Sequence, residues 1–258
     1  MSNKKLIVGN WKMNLTVHES SLYLHKLGQR LKPHKNVEIV LAPGMLAVQS
    51  LSLQVERKLF KLAAQNLYWK DEGAFTGEVS AHQLRGLVNY AIIGHSERRH
   101  VFGEHDKDVR NKVQAAVRHG ITPILCVGET AHERTAKETS GVLHDQIVGG
   151  LANLTADEVA DVVIAYEPVW AIGTGDNALP SDVEDAAHVI RRQVEHLYGR
   201  ATAAAVRVLY GGSVSSHNAA GYLKGSSIDG LLVGGASLKA IEFEAIVEAA
   251  HEAGKRQA

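Results

Sequence analysis

The sequence predicts an α/β fold, a (β/α)₈ barrel that forms one domain over residues 1–258. Three observations predict it. Eight short apolar runs rich in β-branched residues recur along the chain, longer stretches with helical spacing separate them, and unusual polar residues follow the ends of several runs. The runs lack strict polar alternation, which is typical of parallel strands that are buried on both faces.

The eight runs are taken in chain order as strands. They extend from Leu6 to Val8, Val37 to Leu41, Leu59 to Ala63, Tyr90 to Ile93, Thr122 to Val127, Val162 to Ala165, Val206 to Leu209, and Leu231 to Val233. Each is short enough for a strand and too short for a typical helix. No linker rich in Pro, Gly or Ser divides the series, which favours a single domain.

Helices are predicted between the strands. The clearest helical spacing places Val109, Val113, Ala116 and Val117 on one face. Three pairs fit the capping box that marks a helix start, and Gly120 after His119 marks a helix end. The three pairs are Ser80 with Gln83, Thr155 with Glu158, and Ser181 with Glu184.

Composition excludes several classes of protein. Apolar residues make up 45% of the chain, and 28 basic residues balance 28 acidic ones, so no net charge attracts nucleic acid or a membrane surface. No apolar stretch approaches the length of a signal peptide core or a membrane span. The single cysteine, Cys126, lies in an apolar run and is expected to be buried and unreactive. We therefore expect a cytoplasmic protein.

The polar residues decide between a closed barrel and an open doubly wound sheet. They follow different strands, and in a barrel the carboxyl ends of all strands converge on one mouth, where barrel enzymes place their chemistry. The residues concerned are Asn10, Lys12, His95, Glu97, Glu167, Ser213, Gly234 and Gly235.

Two glycine pairs indicate an anion site. Gly234-Gly235 ends the eighth strand, and Gly211-Gly212 leads from the seventh strand into Ser213. Backbone N–H groups at such a turn can approach an anion without obstruction by Cβ. One such pair alone is equally compatible with a tight turn, but the two together after strands seven and eight favour phosphate.

The stretch from Gly173 to Ala178 superficially matches the dinucleotide motif G-x-G-x-x-A. We reject that interpretation because the motif needs its first glycine directly after a strand, whereas Glu167-Pro168-Val169-Trp170 intervenes, and Pro180 delays the helix. A lid with glycine hinges that closes over a site fits better.

Three side chains are candidates for chemistry, and each has a plainer alternative. Glu167, held by Pro168 at the foot of the lid, is either a solvated charge or a general base. His95 is either a structural histidine or an electrophile, and Lys12 is either a surface charge or a stabiliser of developing negative charge. The spacing of His95, His100 and His105 does not place ligands on one helix face, so no metal is expected.

The chain also resembles one family. The strings GNWKMN, AQN, GAFTGE, IIGHSERR, ILCVGET, AYEPVWAIGTG, YGGSV and DGLLVGGASL are similar in order and spacing to those of the triosephosphate isomerase family, from Met1 to Ala249. The resemblance implies the TIM-barrel fold, no cofactor, and interconversion of dihydroxyacetone phosphate and D-glyceraldehyde 3-phosphate through an enediolate, a step of glycolysis and gluconeogenesis.

The resemblance also implies roles for named residues. Glu167 would be the base, and His95 would be a neutral electrophile whose basicity is lowered by the helix start beyond it. Lys12 and Asn10 would stabilise the enediolate, with Glu97 ordering Lys12 or relaying protons. Gly173, Ser213, Gly234 and Gly235 would bind the substrate phosphate through backbone N–H groups.

Further implications concern the lid and the assembly. Glu129 and Trp170 resemble a pair that holds the lid open, and Tyr210 resembles a latch for its closed state. The segment from Gly73 to Glu78 resembles an interface loop with Thr76 near its tip, which implies a homodimer. Asp176-Asn177-Ala178 departs from the family's usual hinge, and Asp176 is expected to weaken binding of a phosphate dianion slightly.

Two alternatives remain on sequence grounds. An isomerase of a four-carbon ketose phosphate would keep the same base, electrophile and phosphate site. A non-catalytic phosphate-binding protein descended from such an enzyme is disfavoured by the joint presence of Lys12, His95 and Glu167.

Overall fold

A computed structural model describes residues 4–172, 177–225 and 227–255. Gly173 and Asp176 therefore lie outside the described residues. The strands are β1 (Lys5–Asn10), β2 (Val37–Ala42), β3 (Phe60–Ala64), β4 (Tyr90–Ile93), β5 (Thr122–Val127), β6 (Val163–Tyr166), β7 (Arg207–Tyr210) and β8 (Gly230–Val233). They form a closed parallel barrel in sequence order, with β8 pairing to β1. The predicted fold class is confirmed.

Six of the predicted strands differ from the observed ones by one or two residues at their ends, whereas β4 and β5 match. β1 continues past Val8 to Asn10, because Gly9 and Asn10 pair with Leu41 and Ala42 of β2. β6 begins at Val163, where its pairing to Ile124 of β5 starts. Tertiary pairing, which local composition does not encode, sets these bounds.

Helices cover the outside of the barrel. They are α1 (Val17–Arg30), α2 (Met45–Gln54), α3 (Ala81–Leu84), α4 (Ser96–His100), α5 (Asp106–Arg118), α6 (Ala131–Thr135), α7 (Thr139–Leu151), α8 (Ala156–Ala160), α9 (Pro180–Tyr198), α10 (Arg200–Ala205), α11 (Ala219–Leu223) and α12 (Ala240–Lys255), with 3₁₀ turns at Val169–Ala171 and Gly235–Leu238. Among the described residues, no helix is both long and apolar enough to cross a bilayer.

Two of the three predicted capping boxes are confirmed, those at Ser80 and Thr155. The third, at Ser181, is wrong. Helix α9 begins one residue earlier at Pro180, and the carboxylate of Asp182 accepts a hydrogen bond from the Leu179 N–H at 3.1 Å. Proline suits the first helical position because its fixed φ is already helical and an N–H there has no partner within the helix.

Apolar side chains pack on both faces of the sheet. Leu6 and Val8 belong to a buried cluster inside the barrel, whereas Ile7 between them packs in the layer under the helices. Cys126 is fully buried in the inner cluster, as predicted. Burial of both faces explains why the strands read as continuous apolar runs.

Charged side chains close the amino-terminal end of the barrel. Glu38 accepts a hydrogen bond from the Tyr90 hydroxyl at 2.6 Å and forms ion pairs with Arg207 at 3.0 Å and Lys61 at 2.6 Å. Burial raises the pKa of Glu38, but Lys61, Tyr90 and Arg207 outweigh burial and hold it below its ordinary value. This end of the barrel is therefore fixed by a charge network and is far from the mouth.

Candidate active site

The carboxyl ends of the strands surround one cavity of about 540 Å³. Every predicted site residue that the structure describes lines it. Its lining residues are Asn10, Lys12, His95, Ser96, Glu97, His100, Val101, Glu167, Val169, Ile172, Gly211, Gly212, Ser213, Val214, Leu232, Gly234, Gly235 and Ala236. Gly173, the remaining predicted phosphate ligand, lies outside the described residues.

Lys12 enters the cavity from a turn directly after β1. Its backbone has a φ of 53°, which non-glycine residues rarely adopt. The side chain of Gln65 stabilises this turn by donating hydrogen bonds to the carbonyl oxygens of Lys12 and Ala42, each at 2.9 Å. Asn10 accepts from the Lys12 N–H at 3.0 Å, and the Lys12 ammonium lies 2.5 Å from Glu97 Oε1. The ammonium is thus held at the rim of the cavity.

His95 is the residue that caps the amino terminus of α4. Its Nδ1 accepts a hydrogen bond from the Glu97 N–H at 3.2 Å, so in this arrangement the ring proton resides on Nε2. Nε2 lies 3.0 Å from Glu167 Oε1. Burial is the largest single influence and lowers the pKa of His95, but Glu167 and Glu97 together outweigh burial and raise it. The lowered basicity implied by the family resemblance is therefore opposed here by the neighbouring carboxylate.

Glu167 follows β6 and is almost completely buried, with 2% of the residue exposed. Its Oε2 accepts a hydrogen bond from the Ser96 N–H at 2.8 Å. Its Oε1 is buried and has no hydrogen-bond partner of acceptable geometry among the described residues. Burial raises the pKa of Glu167, but His95, the Ser96 N–H and Lys12 together hold it below its ordinary value. The carboxylate is therefore charged, and its Oε1 makes no hydrogen bond of acceptable geometry among the described residues.

Glycines form one wall of the cavity. A Cβ at Gly211 would lie 3.0 Å from Glu167 Cγ, so glycine at this position leaves the room that the carboxylate occupies. Gly234 packs beside Lys12, whose Cε would lie 3.5 Å from a Cβ there, and Gly235 begins a 3₁₀ turn. The first N–H groups of such a turn have no carbonyl partner within it. Ser213 lies exposed at the same edge.

Of the contacts expected for the lid, the structure shows the one between Glu129 and Trp170. The Trp170 indole N–H donates to Glu129 Oε1 at 3.0 Å, and Glu129 is fully buried. The Tyr210 hydroxyl is buried without a hydrogen-bond partner among the described residues. It belongs to a ring that packs on Tyr222, whose own hydroxyl donates to the Ala178 carbonyl at 2.8 Å.

Sequence reasoning missed two residues of the site. Ser96 contributes a backbone N–H, and the signal for it was present because the helix start after His95 leaves unpaired N–H groups. Gln65 was quoted within the AQN string without a role, although it stabilises the Lys12 turn. An amide just after β3, two strands away from β1, carries no local signature of the turn that it binds.

Comparison with known proteins matches the site to one family. The family model for triosephosphate isomerase matches residues 5–250. A triosephosphate isomerase of Trichlorobacter lovleyi is 46% identical over 243 residues, which cover 94% of this chain and 97% of that protein. A triosephosphate isomerase of Streptococcus mutans is 43% identical over 249 residues, covering 96% and 99%. One of Clostridium acetobutylicum is 46% identical over 243 residues, covering 94% and 98%.

Proposed function

The chain belongs to the triosephosphate isomerase family, and from that premise we propose which side chains perform its reaction. It is an intramolecular aldose–ketose isomerase that interconverts dihydroxyacetone phosphate and D-glyceraldehyde 3-phosphate, a glycolytic step. The family match and the names of the relatives favour this three-carbon substrate over a four-carbon ketose phosphate.

Glu167 is the general base. The observation that carries this assignment is that Glu167 lines the cavity with its Oε2 held by Ser96, while its buried Oε1 lies 3.0 Å from His95 Nε2 and has no hydrogen bond of acceptable geometry among the described residues. Oε1 takes a proton from the hydroxyl-bearing carbon of the substrate and returns it to the adjacent carbon that was the carbonyl. The C–H electron pair forms the enediolate in between. The hydroxyl proton passes from the oxygen of the first carbon to the oxygen of the second, which lies toward His95 Nε2, so protons and electrons balance over the cycle.

His95 is the electrophile that stabilises the substrate carbonyl. With Nδ1 accepting from the Glu97 N–H, the proton on Nε2 is available to the carbonyl oxygen as negative charge develops there. When Glu167 turns toward the substrate carbon, its charge leaves Nε2. Of the remaining influences on the His95 pKa, burial is larger than the opposing charge of Glu97, and Lys12 and the N–H donated to Nδ1 act in the same direction as burial, so the neutral ring is favoured.

Lys12, Asn10 and Glu97 complete the electrostatic environment. The Lys12 ammonium would stabilise both the enediolate and the substrate phosphate, because it lies beside Gly234 at the glycine wall. Asn10 orients the Lys12 backbone and offers its amide N–H groups to a substrate oxygen. Glu97 holds the ammonium at the cavity rim until substrate arrives.

Backbone N–H groups bind the phosphate. Gly234 and Gly235 contribute the start of a 3₁₀ turn, and Ser213 contributes from the loop after β7. Gly173 completes the set on grounds of the family resemblance alone. These groups lie on the opposite side of the cavity from His95, so the phosphate and the reacting carbons occupy separate parts of it.

The variant Glu167→Gln tests the base assignment. We expect kcat to fall by about 10²- to 10⁴-fold, the usual contribution of a general base, while competitive inhibition by inorganic phosphate is retained. Glu56→Gln, at an exposed glutamate, serves as the control and keeps the parent kcat. Turnover near the parent value in Glu167→Gln would contradict the assignment.

The active assembly is a homodimer in which Thr76 of one protomer reaches the site of the other. All residues from Asp71 to Glu78 are exposed, and Phe75 packs against Tyr68 within the loop. A second cavity of about 390 Å³ adjoins Lys12 and Glu97, and the exposed apolar side chains of Met13 and Phe102 line it. A loop with an apolar tip from a second copy fits this surface. Light scattering should report a dimer, and an active monomer would refute the proposal.

The chain from 1 to 258 acts as one catalytic domain in the cytoplasm. A single barrel in the described residues, with all its strands in one sheet, supports one domain. The glycolytic reaction of the family supports the cytoplasmic location. Limited proteolysis that releases two stable folded fragments would contradict the single domain.

A further inference from the structure

Residues 127–129, called the bracket below, form hydrogen bonds to the backbone of Glu167 and of Val169. The Glu167 N–H donates to the Val127 carbonyl at 2.8 Å, and the Val169 N–H donates to the Glu129 carbonyl at 3.0 Å. Between these bonds, Gly128 lies so close that a Cβ on it would be 1.7 Å from the Glu167 carbonyl oxygen. Any displacement of residues 127–129 is therefore passed directly to Glu167.

The polar groups of Gly128 itself face the other way. Successive residues of an extended strand direct their N–H and C=O groups to opposite sides. Because residues 127 and 129 bond to the chain of Glu167, Gly128 directs its groups toward the side of β4. Strand β4 ends at Ile93, where the chain turns into His95 and α4, so no strand continues there to pair with Gly128. A buried backbone group without a partner is costly.

The side chain of Gln146, on helix α7, occupies the place of the missing strand. Its Oε1 accepts a hydrogen bond from the Gly128 N–H at 2.8 Å, and its Nε2 donates to the Gly128 carbonyl at 3.3 Å. A glutamine amide carries one acceptor and a donor side by side, as the edge of a strand does. Both polar groups of Gly128 are thereby satisfied from outside the barrel.

We propose that Gln146 is a positioning residue for Glu167, which acts through the backbone of Gly128. The inference rests on the role proposed for Glu167 above. Gln146 touches no substrate, since it lies behind the strand ends and does not line the cavity. Its contribution is to keep the bracket in register, so that Glu167 Oε1 meets the substrate carbon at reacting distance.

The bracket affects proton transfer more than phosphate binding. A misplacement of about 1 Å costs on the order of 10²-fold in rate, so a shift of a few tenths of an ångström in Glu167 lowers kcat by about tenfold. The phosphate groups, Gly234 and Gly235, belong to the turn after β8 and have no contact with Gln146 or Gly128 among those described. Loss of Gln146 should therefore separate kcat from phosphate affinity.

The test compares Gln146→Leu with a matched control, Gln114→Leu. Gln114 is also half-buried and also binds a backbone carbonyl, but it lies on α5 and binds Ala152, at the carboxyl end of α7, at 2.9 Å rather than residues 127–129. We expect Gln146→Leu to lower kcat about tenfold, with the KM and the inhibition constant of inorganic phosphate within twofold of the parent. Gln114→Leu should lose comparable thermal stability and keep the parent kcat.

A second variant keeps the inference testable if Gln146→Leu does not fold. Gln146→Glu retains the acceptor of the 2.8 Å bond and loses the donor of the 3.3 Å bond, so we expect a smaller fall in kcat at unchanged phosphate affinity. A folded Gln146→Leu, or failing that Gln146→Glu, with parent kcat overturns the inference. A joint loss of kcat and phosphate affinity also overturns it. Parent-like turnover in Glu167→Gln would instead contradict the proposed function itself.

Discussion

Replacing Gly211 by alanine tests whether the position of the Glu167 carboxylate limits the rate. The new Cβ would lie 3.0 Å from Glu167 Cγ, 3.4 Å from the Tyr166 carbonyl oxygen and 3.6 Å from Leu232 Cβ. Carbon atoms in contact prefer about 3.5 to 4.0 Å, so one partner must move by about 0.5 to 1 Å. Gly211 cannot retreat freely, because its N–H donates to the Tyr166 carbonyl at 2.7 Å. The flexible partner is the Glu167 side chain.

The size of the effect follows from that displacement. A shift of about 0.5 to 1 Å in a reacting group costs about 10- to 10²-fold in rate, which corresponds to about 1.4 to 2.7 kcal/mol of barrier. We expect kcat for isomerisation of D-glyceraldehyde 3-phosphate to fall by that factor. The inhibition constant of inorganic phosphate should change by less than about threefold, because Gly234 and Gly235 follow β8 and only Ser213 of the described phosphate groups follows β7.

The control for this variant is Gly221→Ala. Gly221 lies within α11, and a Cβ there would meet nothing closer than Pro180 Cγ at 3.9 Å, an ordinary contact. It should keep the parent kcat and gain up to about 1 kcal/mol of stability. If Gly211→Ala folds and retains the parent kcat, or loses phosphate affinity in proportion to kcat, the reasoning from carboxylate position is refuted.

Four further predictions concern stability and the lid. Glu38→Ala should lower the free energy of unfolding by about 3 kcal/mol in urea titrations at pH 7, because it leaves the half-buried Arg207 charge without its partner. The pKa of Glu38 is lower in the folded protein than its ordinary value, so its charge contributes to folding stability above about pH 4.5. This contribution is lost as the pH falls through the pKa of the folded state. Glu38→Gln should therefore flatten the acid side of the curve of stability against pH. Burial, His34 and Lys255 lower the pKa of His251, whose ring stacks on that of His34 at 3.9 Å. The neutral His251 ring therefore contributes to folding stability above about pH 6.5, and this contribution is lost as the pH falls. Between pH 7.5 and 5.5, the Tm of His251→Gln should drop less than that of the parent. Tyr210→Phe should leave the Tm of the free enzyme within about 1 °C, because the hydroxyl has no hydrogen-bond partner among the described residues. It should weaken a phosphate-bearing inhibitor, because the family resemblance makes this hydroxyl a latch for the closed lid.

The sequence predicts the barrel well because its signals are redundant. Each strand is buried on both faces, as Leu6, Ile7 and Val8 illustrate, so a short apolar run marks it without help from its neighbours. The start of α9 was misplaced because Ser181 with Glu184 satisfies the capping pattern equally well. The choice is made by Asp182, which accepts from the Leu179 N–H, and by Pro180 at the first helical position.

The residues of the site also fall into two groups, those that their position in the sequence reveals and those that it does not. Lys12, His95 and Glu167 follow strand ends and could be found by position, since strand ends converge in a barrel. The residues that orient them could not. The side-chain amides of Gln65 and Gln146 form hydrogen bonds to backbone groups 53 and 18 positions away in the sequence. A glutamine at a strand end or on a helix face has no sequence spacing that predicts such a partner. Side chains that bind backbone depend on the folded path of the chain, which composition does not specify.

The pairing of β8 to β1 has a consequence for how the chain is made. The other seven strand pairings join neighbours in the sequence, whereas this one brings Leu6 beside Gly230. During synthesis on the ribosome, the early strands can therefore assemble progressively, but β1 keeps an unpaired edge until the last strand emerges. Lys5 reinforces the late contact by donating to the Ile228 carbonyl at 2.6 Å. Nascent chains that stall before residue 228 should consequently depend on chaperones, and a circular permutant that makes β8 and β1 contiguous should shorten that dependence.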